Sequence, residues 1–394
     1  MAGTRHGQSQ GNRYPNHHLP LCILFVSLRA PGSWANGERD PATGALTWDT
    51  DRFPSGIPAL TDWLHEKGMK FGLYTSAGNA TCSSGGRPYP IPGSEGHYVE
   101  DAQAFADWGV DYVKLDWCGD VKDNFIKDGW YQGHGAQMHR DFATALNATG
   151  RPIFFEAVAG FWFLMHETAE YVNSWRFCGD HHDEWENTWE QVGCRFSQGE
   201  EPFELTRGEP GAWPFMDLMT IGGDGCAPFE EGVAGMHCPG QTDDNYRSEF
   251  AIWSITQSPM LIDSDLRNMT AIMNELLLNA EVIAIHQSTA TPPGTRTGHG
   301  AADGLCDECQ VFSRALEGGG GVAALVNFKT NPKVGASVQD VTASLEVLGL
   351  DPAKAYVVRD LYAHEDWPTP ATGSVTALGV APGGVAYLQF SPVA

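Results

Sequence analysis

The stretch that most constrains the fold of this chain runs from Gly109 to Asp120, where a short apolar run ends in charged residues. Residues 109–113 follow a turn and are rich in β-branched and aromatic side chains, which is typical of a buried strand. Lys114 and Asp116 come two residues apart, so in a strand they point to the same face. Parallel barrels place their active sites at strand ends. The stretch therefore predicts either such a site or an ordinary surface ion pair beside a buried strand.

Strand-like and helix-like segments alternate along the first three quarters of the chain, which favours a parallel sheet with helices outside. Seven or eight such units would form a (β/α)8 TIM barrel, and the length of 394 residues suits one. Strands are predicted at 70–74, 110–115 and 152–156, helices at 57–67, 99–108, 138–146 and 273–278, and further units of the alternation at 173–175, 212–217, 252–262 and 282–286.

The sequence pattern changes after Pro292, where glycines and prolines separate short alternating runs such as 321–326 and 386–390. We therefore predict a catalytic barrel over 34–292 and a C-terminal antiparallel β-sandwich domain over 293–394.

Residues 1–33 form an atypical N-terminal segment. The polar residues 1–18 are expected to be disordered, and residues 19–28 (LPLCILFVSL) are mostly apolar. This apolar run resembles the central region of a signal peptide, although no A-x-A cleavage pattern follows it. A buried strand is the competing interpretation. No stretch of the sequence is long enough for a transmembrane helix.

The charge of the chain restricts its partners. Lys and Arg number 24 against 49 Asp and Glu, which gives a net charge of −25. Such a surface argues against binding to nucleic acids and to anionic membranes. It fits a protein that works in acidic fluid, where carboxylates partly protonate, or it simply aids solubility.

Nine cysteines and three N-x-[ST] sequons, at Asn79, Asn147 and Asn268, favour a secretory compartment. The C-x-x-C of Cys306 and Cys309 lacks a second pair, so we predict a local disulfide there rather than a zinc or redox site.

Two motifs carry a resemblance to a known family. YVKLDWC at 112–118 and NSWR-x-x-x-D at 173–180 resemble glycoside hydrolase family 27, the α-galactosidases and α-N-acetylgalactosaminidases. Collinear supporting stretches occur at 52–60, 67–82, 101–118 and 258–287. The similarity runs from about Trp34 to Gln287 and more loosely beyond.

The resemblance implies a double displacement with retention at the anomeric carbon. Asp116 matches the nucleophile of the family, and Asp180 matches its acid/base. One carboxylate attacks, while the other protonates the leaving oxygen and then deprotonates water. The resemblance also implies carboxyl groups about 5–5.5 Å apart, as in retaining enzymes. Lys114 would favour an ionised Asp116 by its opposite charge.

Other positions carry over singly as substrate-binding residues. Lys114 and Arg176 match sugar-binding residues, and Asp217 matches the last Asp of a W-N-D-P-D motif. Glu156 matches the Glu that contacts the 2-hydroxyl in galactosidases, where N-acetylgalactosaminidases have smaller residues. The remaining matches are Tyr74 and Trp34 near the pocket and a family disulfide between Cys82 and Cys118. Capping by Glu156, orientation of Asp180 by Arg176 and simple packing of Tyr74 remain alternatives.

Several family features are absent. The family carries an Asp-Asp pair before the Trp that matches Trp34, and these acids bind the sugar's O4 and O6 hydroxyls. Here residues 31–33 are Pro, Gly and Ser, so two charge-assisted hydrogen bonds of about 1.5–3 kcal/mol each are missing. We expect that the N-terminal strands are missing or replaced and that residues 1–33 are not the native start. Residues 19–28 would stand in for one strand but cannot supply the carboxylates.

Two further differences concern residues 155–238. Residues 214–216 replace the Asn-Asp-Pro of the W-N-D-P-D motif. Phe155 and Val172 replace the cysteines of a family disulfide. The candidates for new disulfides near the pocket are Cys178, Cys194, Cys226 and Cys238.

The sequence thus predicts a retaining α-galactosidase that needs no metal or organic cofactor. Its partners would be α-galactosyl oligosaccharides or glycoconjugates, and the resemblance also admits a homodimer. Secretion or a lysosomal or vacuolar location is expected. The alternatives are a catalytically impaired galactose-binding homologue, and an enzyme acting on α-N-acetylgalactosamine or β-arabinopyranose.

Overall fold

The computed structural model describes two compact units, Met1–Phe177 and Cys178–Ala394. The residues described are 23–26, 34–82, 90–119, 137–158, 168–176, 178–196, 208–209, 211–223, 239–328 and 337–393. The predicted domain borders at residues 33 and 292 stay predictions. Cys226 and Cys238 lie outside the described residues.

The first unit is a parallel sheet with helices between its strands. Its helices are amphipathic: Ile57, Thr61 and Leu64 recur at helical spacing on the buried side of the first one. The elements are β1 (Ile23–Val26), α1 (Gly56–Glu66), β2 (Lys70–Ser76), α2 (Tyr98–Asp107), β3 (Tyr112–Asp116), α3 (Gln137–Ala148), β4 (Phe154–Val158) and β5 (Ser174–Arg176).

Every neighbouring pair of strands from β1 to β5 runs parallel, in chain order. The register pairs Tyr74 with Lys114, Lys114 with Glu156, and Glu156 with Ser174. Because strand side chains alternate, one face carries these polar residues and the other carries apolar ones such as Phe155. The ring of Phe155 contacts Phe142 of α3, so the apolar face packs against the helices.

The apolar segment 19–28 contains a strand. Its central residues form β1, which pairs in parallel with β2. This supports the strand interpretation for residues 23–26 and the expectation that the segment stands in for one strand of the barrel. The rest of residues 1–33 lies outside the described part of the chain.

The second unit begins with helices and one short strand. Thr242 caps the longest of the described helices, because its hydroxyl accepts from the backbone N–H of Asn245, and Oδ1 of Asn245 accepts from the backbone N–H of Thr242. These elements are α4 (Trp185–Phe196), β6 (Trp213–Phe215), α5 (Asp243–Ile255), α6 (Ala271–Leu277) and α7 (Ala280–Gln287).

An antiparallel sheet completes the second unit, as the alternating runs predicted. Its strands are β7 (Thr295–His299), β8 (Cys309–Ala315), β9 (Gly321–Asn327), β10 (Gln339–Ser344), β11 (Ala355–Asp360), β12 (Glu365–Asp366), β13 (Ala371–Thr372), β14 (Ser374–Val380) and β15 (Val385–Pro392). The sheet order is β10-β14-β13-β11-β15-β9-β8-β7, with β12 beside β11.

One of the predicted later units begins in a helix, and another lies within one. Residues 252–255 end α5, and residues 282–286 lie inside α7, which Asn279 caps through its side chain. Short buried apolar runs do not distinguish strand from helix by periodicity, which explains the difference. Among the described residues, none of the helices has the length and apolar character required to cross a membrane.

Candidate active site

The polar face of the first unit gathers most of the predicted site residues. Strand alternation places Tyr74, Lys114, Asp116, Glu156 and Arg176 on this face, and all but the half-buried Asp116 are buried. The i, i+2 spacing predicted this common face for Lys114 and Asp116, and the register extends it over the four strands β2 to β5.

Asp116 is the last residue of β3, and its carboxylate is oriented by two donors. The hydroxyl of Tyr74 donates to Oδ2 at 2.6 Å, and the backbone N–H of Trp117 donates to Oδ1 at 2.7 Å. Burial, and then the charge of Asp116, hold the pKa of Tyr74 well above its usual value of 10. Tyr74 therefore stays protonated and remains a donor to Asp116.

Lys114 is paired with Glu156. Its Nζ lies 3.8 Å from Oε1 of Glu156, whose Oε2 accepts a short hydrogen bond from the hydroxyl of Tyr112. The parallel register explains this pair, because it places Glu156 directly beside Lys114 on the next strand. The predicted influence of Lys114 on the charge of Asp116 stays a prediction.

A disulfide between Cys82 and Cys118 closes the loop after Asp116, as the resemblance implied. Ser76 adds a second tie, because its hydroxyl accepts from the backbone N–H of Cys118 at 2.9 Å. Cys82, Asp116 and Cys118 also form a cluster with metal-ligand side chains. Sulfurs joined in a disulfide offer no thiolate, so this cluster does not fit a metal.

Trp34 is buried beside the strand β2. Its indole N–H donates to the backbone carbonyl of Tyr74 at 2.8 Å, and its rings contact Phe105 and Trp108 edge to face at 5.9 and 5.8 Å. Trp34 thus supports the strand that carries Tyr74. A contact of Trp34 with substrate stays a prediction.

In the second unit, His181 connects Asp180, its neighbour in sequence, with Asp217. Asp180 is exposed, while Asp217 is buried. The backbone N–H of His181 donates to Oδ2 of Asp217 at 2.9 Å. Asp217 has a positive φ of 70°, a conformation that is rare outside glycine and is often found at functional sites.

Sequence reasoning missed a buried polar network in the second unit, which surrounds His181. His181, Thr188, Gln241 and Glu249 are all buried, and hydrogen bonds connect them in that order, with Thr220 bonded to both Gln241 and Glu249. Their positions are spread over more than sixty residues, so no local motif signals the network. A charged residue inside the apolar pattern of α5, Glu249, is the one sequence signal that could have found it.

A disulfide between Cys178 and Cys194 also lies beside Asp180. The sequence had named both cysteines as candidates for new bridges near the pocket. Cys306 and Cys309 form the predicted local disulfide.

Comparison with known proteins decides the family. A family model described as "Alpha galactosidase A" matches residues 23–288, which is more than half of the chain. The chain belongs to glycoside hydrolase family 27. A second model, described as "Alpha galactosidase C-terminal beta sandwich domain", matches residues 306–390 of this family 27 protein.

Two curated relatives have similar identity but different names. The chain is 33% identical over 356 residues to Alpha-galactosidase 3 of Arabidopsis thaliana, covering 90% of this chain and 70% of the relative. It is 32% identical over 371 residues to Alpha-N-acetylgalactosaminidase of Gallus gallus, covering 92% of this chain and 80% of the relative.

Solved structures share the fold. Alpha-galactosidase I from Mortierella vinacea matches with a TM-score of 0.71 and 25% identity, over 93% of this chain and 86% of the other. A family 27 β-L-arabinopyranosidase from Geobacillus stearothermophilus matches with a TM-score of 0.73 and 22% identity, over 94% and 87%. The family 27 protein is therefore a glycoside hydrolase with a (β/α)8 barrel and a C-terminal β domain, which confirms the predicted fold class.

Proposed function

We propose that this glycoside hydrolase removes terminal α-linked galactose from oligosaccharides or glycoconjugates. The observation that carries the proposal is Glu156, a buried carboxylate held on the polar face by Lys114 and Tyr112. A carboxylate at this position accepts a hydrogen bond from a 2-hydroxyl, and its bulk excludes a 2-acetamido group. Galactose is thus favoured over N-acetylgalactosamine by attraction and by repulsion together.

In the proposed mechanism, Asp116 attacks the anomeric carbon while Asp180 gives a proton to the leaving oxygen. Water, deprotonated by Asp180, then releases the sugar from the ester on Asp116. Tyr74 keeps the attacking carboxylate in one orientation through its short hydrogen bond. Lys114, Arg176 and Asp217 are proposed to bind the sugar.

Two other candidates deserve a test. The similar identity to the Gallus gallus Alpha-N-acetylgalactosaminidase favours N-acetylgalactosamine as the alternative sugar. The absence of the Asp-Asp pair before Trp34 favours a homologue that binds galactose without turnover.

A panel of p-nitrophenyl glycosides tests the proposal, with α-galactose, α-N-acetylgalactosamine and β-L-arabinopyranose as sugars. We expect release of nitrophenol from the α-galactoside and its loss in Asp116→Asn. Glu156→Ser should lower the ratio of kcat/KM for the α-galactoside to that for the α-N-acetylgalactosaminide by about ten-fold or more, because space for the acetamide appears.

Glu346→Ser, at an exposed position of the β domain, is the matched control and should leave this ratio unchanged. Galactose binding without nitrophenol release would replace the proposal with the non-catalytic alternative. Full activity of Asp116→Asn would remove Asp116 from the mechanism.

The proposed location is the secretory pathway or an acidic compartment reached through it. Three disulfides among the described residues support an oxidising environment. The sequon asparagines Asn79, Asn147 and Asn268 are all exposed, which leaves each accessible for glycosylation.

A further inference from the structure

The segment Cys178–Asp183, which carries Asp180, is tied to helix α4 at several points. Cys178 forms its disulfide with Cys194 of this helix. The carbonyl of Gly179 accepts from Nε2 of Gln191 at 2.9 Å. The backbone N–H of His182 donates to Oδ1 of Asn187 at 2.7 Å. The residues on both sides of Asp180 are therefore fixed to one helix.

His181 is the most completely held of these neighbours. Its backbone N–H binds Asp217, and its Nδ1 lies 2.7 Å from the carbonyl oxygen of Leu218. A carbonyl only accepts, so Nδ1 carries a hydrogen and donates it. Its Nε2 shares a hydrogen bond of 3.0 Å with the hydroxyl of Thr188 on α4. The imidazole is fully buried, so its tautomer and ring plane are both set by protein groups.

Thr188 connects His181 to a longer chain of polar contacts. Its hydroxyl also lies 3.2 Å from Oε1 of Gln241, whose Nε2 donates to Thr220 and Glu249 at 3.2 and 3.1 Å. Burying such groups is costly unless all of them are bonded, and an apolar core would fill the same space at lower cost. A polar network in this place specifies geometry beside Asp180, which hydrophobic packing alone specifies less sharply.

We propose that His181, held by Thr188, is a positioning residue that fixes the direction of Asp180 toward the leaving-group oxygen. The proposal rests on the proposed function, in which Asp180 is the acid/base. A general acid works only within hydrogen-bond reach of the atom that it protonates. Displacements of about 1 Å remote from the reacting atoms can cost about a hundred-fold in rate.

The test removes the hydroxyl that holds the imidazole. Thr188→Val deletes it at nearly constant volume, and Thr188→Ser restores it. The readout is kcat/KM for two α-galactosides, because this constant reports the step that forms the glycosyl-enzyme. Methyl α-galactoside has a poor leaving group and needs the acid, whereas the 2,4-dinitrophenyl α-galactoside leaves without protonation.

We expect Thr188→Val to lose about ten-fold or more on the methyl galactoside and less than two-fold on the dinitrophenyl galactoside. Thr188→Ser should stay near the parent on both. Thr256→Val is the matched control, since Thr256 is buried in the same unit, directly follows α5, and donates to the carbonyl oxygen of Ile252 at 2.7 Å. Any loss that Thr256→Val causes should be equal on both substrates.

Asp180→Ala separates failure of the inference from failure of the proposed function. If Asp180→Ala loses activity selectively on the methyl galactoside and azide restores turnover of the dinitrophenyl galactoside, Asp180 is the acid/base. An equal loss on both substrates in Thr188→Val, or no loss, would then overturn the positioning role alone. If Asp180→Ala shows neither selectivity nor azide rescue, the acid/base assignment fails and the positioning role fails with it.

Discussion

At the scale of single residues, the orientation of Asp116 depends on one hydroxyl. The Tyr74 hydroxyl donates to one carboxylate oxygen, and a backbone N–H holds the other. Because the pKa of Tyr74 is raised, its hydroxyl stays protonated and donates at acidic and neutral pH. The backbone donor is common to every residue type except proline, so Tyr74 is the position where the orientation of Asp116 can be tested with least change to the backbone.

We expect Tyr74→Phe to lower kcat/KM by about ten-fold or more, since a buried hydrogen bond to a charged group contributes roughly 1.5–3 kcal/mol. The loss should be similar on methyl and dinitrophenyl α-galactosides, because the nucleophile attacks in both. Steady-state kinetics on the two substrates measure it. Tyr356→Phe, a buried tyrosine of the β domain, is the control and should change neither constant. A parent-like Tyr74→Phe would show that Trp117 alone orients Asp116.

The sequence predicted the shared face of Lys114 and Asp116, because that face follows from strand alternation alone. It did not predict that Lys114 pairs with Glu156, because this contact depends on the register between two strands. It also missed His181 and Glu249. Their partners come from separate segments, and only the folded chain brings them together.

At the scale of elements, one buried arginine holds the connection between α7 and β7 through hydrogen bonds to its backbone. Arg314 of β8 donates to four backbone carbonyls, those of Ile285, Ser288, Thr291 and Pro292. Burial lowers the pKa of Arg314 to about 10, so it remains charged at neutral pH. The planar guanidinium has five N–H donors, which lets one side chain satisfy this whole turn.

Arg314→Met should lower the free energy of unfolding by about 3 kcal/mol or more, because several buried carbonyls lose their donor. Arg314→Lys should fall between Met and the parent, since an ammonium has three donors. Guanidinium denaturation measures both. Arg267→Met removes an exposed arginine paired with Asp265 and should leave the free energy of unfolding nearly unchanged, because solvent screens an exposed ion pair. Equal effects at positions 314 and 267 would contradict the role of Arg314.

Element positions were predictable where periodicity was long and unambiguous. The helix predicted at 99–108 is α2, and the run at 321–326 is β9. The segment 282–286 was ambiguous, because its run of four apolar residues suits a buried strand or a helix equally. Its helix follows from the cap of Asn279 and the packing of Val282 and Ile285 in the core. The bridge from Cys178 to Cys194 could not be chosen from nine cysteines by spacing.

At the scale of the whole molecule, the negative net charge and the burial of one carboxyl group both favour stability at low pH. A net charge of −25 makes the folded chain repel itself less as carboxylates protonate. Glu249 adds a specific contribution. Burial raises its pKa from 4.5 to about 8, although hydrogen bonds from Thr220 and Gln241 oppose the shift, and the nearby charge of Asp183 adds to it. His181 also faces Glu249, at 3.9 Å.

The sign of the resulting pH dependence follows from proton binding. Between pH 4.5 and 8 the folded state keeps the Glu249 proton and the unfolded state loses it. The contribution of Glu249 to stability is thus complete below pH 4.5 and is lost as pH rises toward 8. Glu249 alone should lower the free energy of unfolding over this range by an amount on the order of a few kcal/mol. His139 and His286 act in the opposite direction below pH 6.5, because burial lowers their pKa values to about 4 and the folded state keeps them neutral.

Glu249→Gln should flatten this decline, because glutamine resembles the protonated carboxyl and cannot ionise. Denaturation at pH 4.5, 6 and 8 measures the slope for the parent and the variant. Glu346→Gln removes the same formal charge from an exposed position, so it corrects for general repulsion and should keep the parent slope. A decline that persists unchanged in Glu249→Gln would assign the acid preference of the fold to its overall charge and leave Glu249 as a packed, hydrogen-bonded group without a titration role.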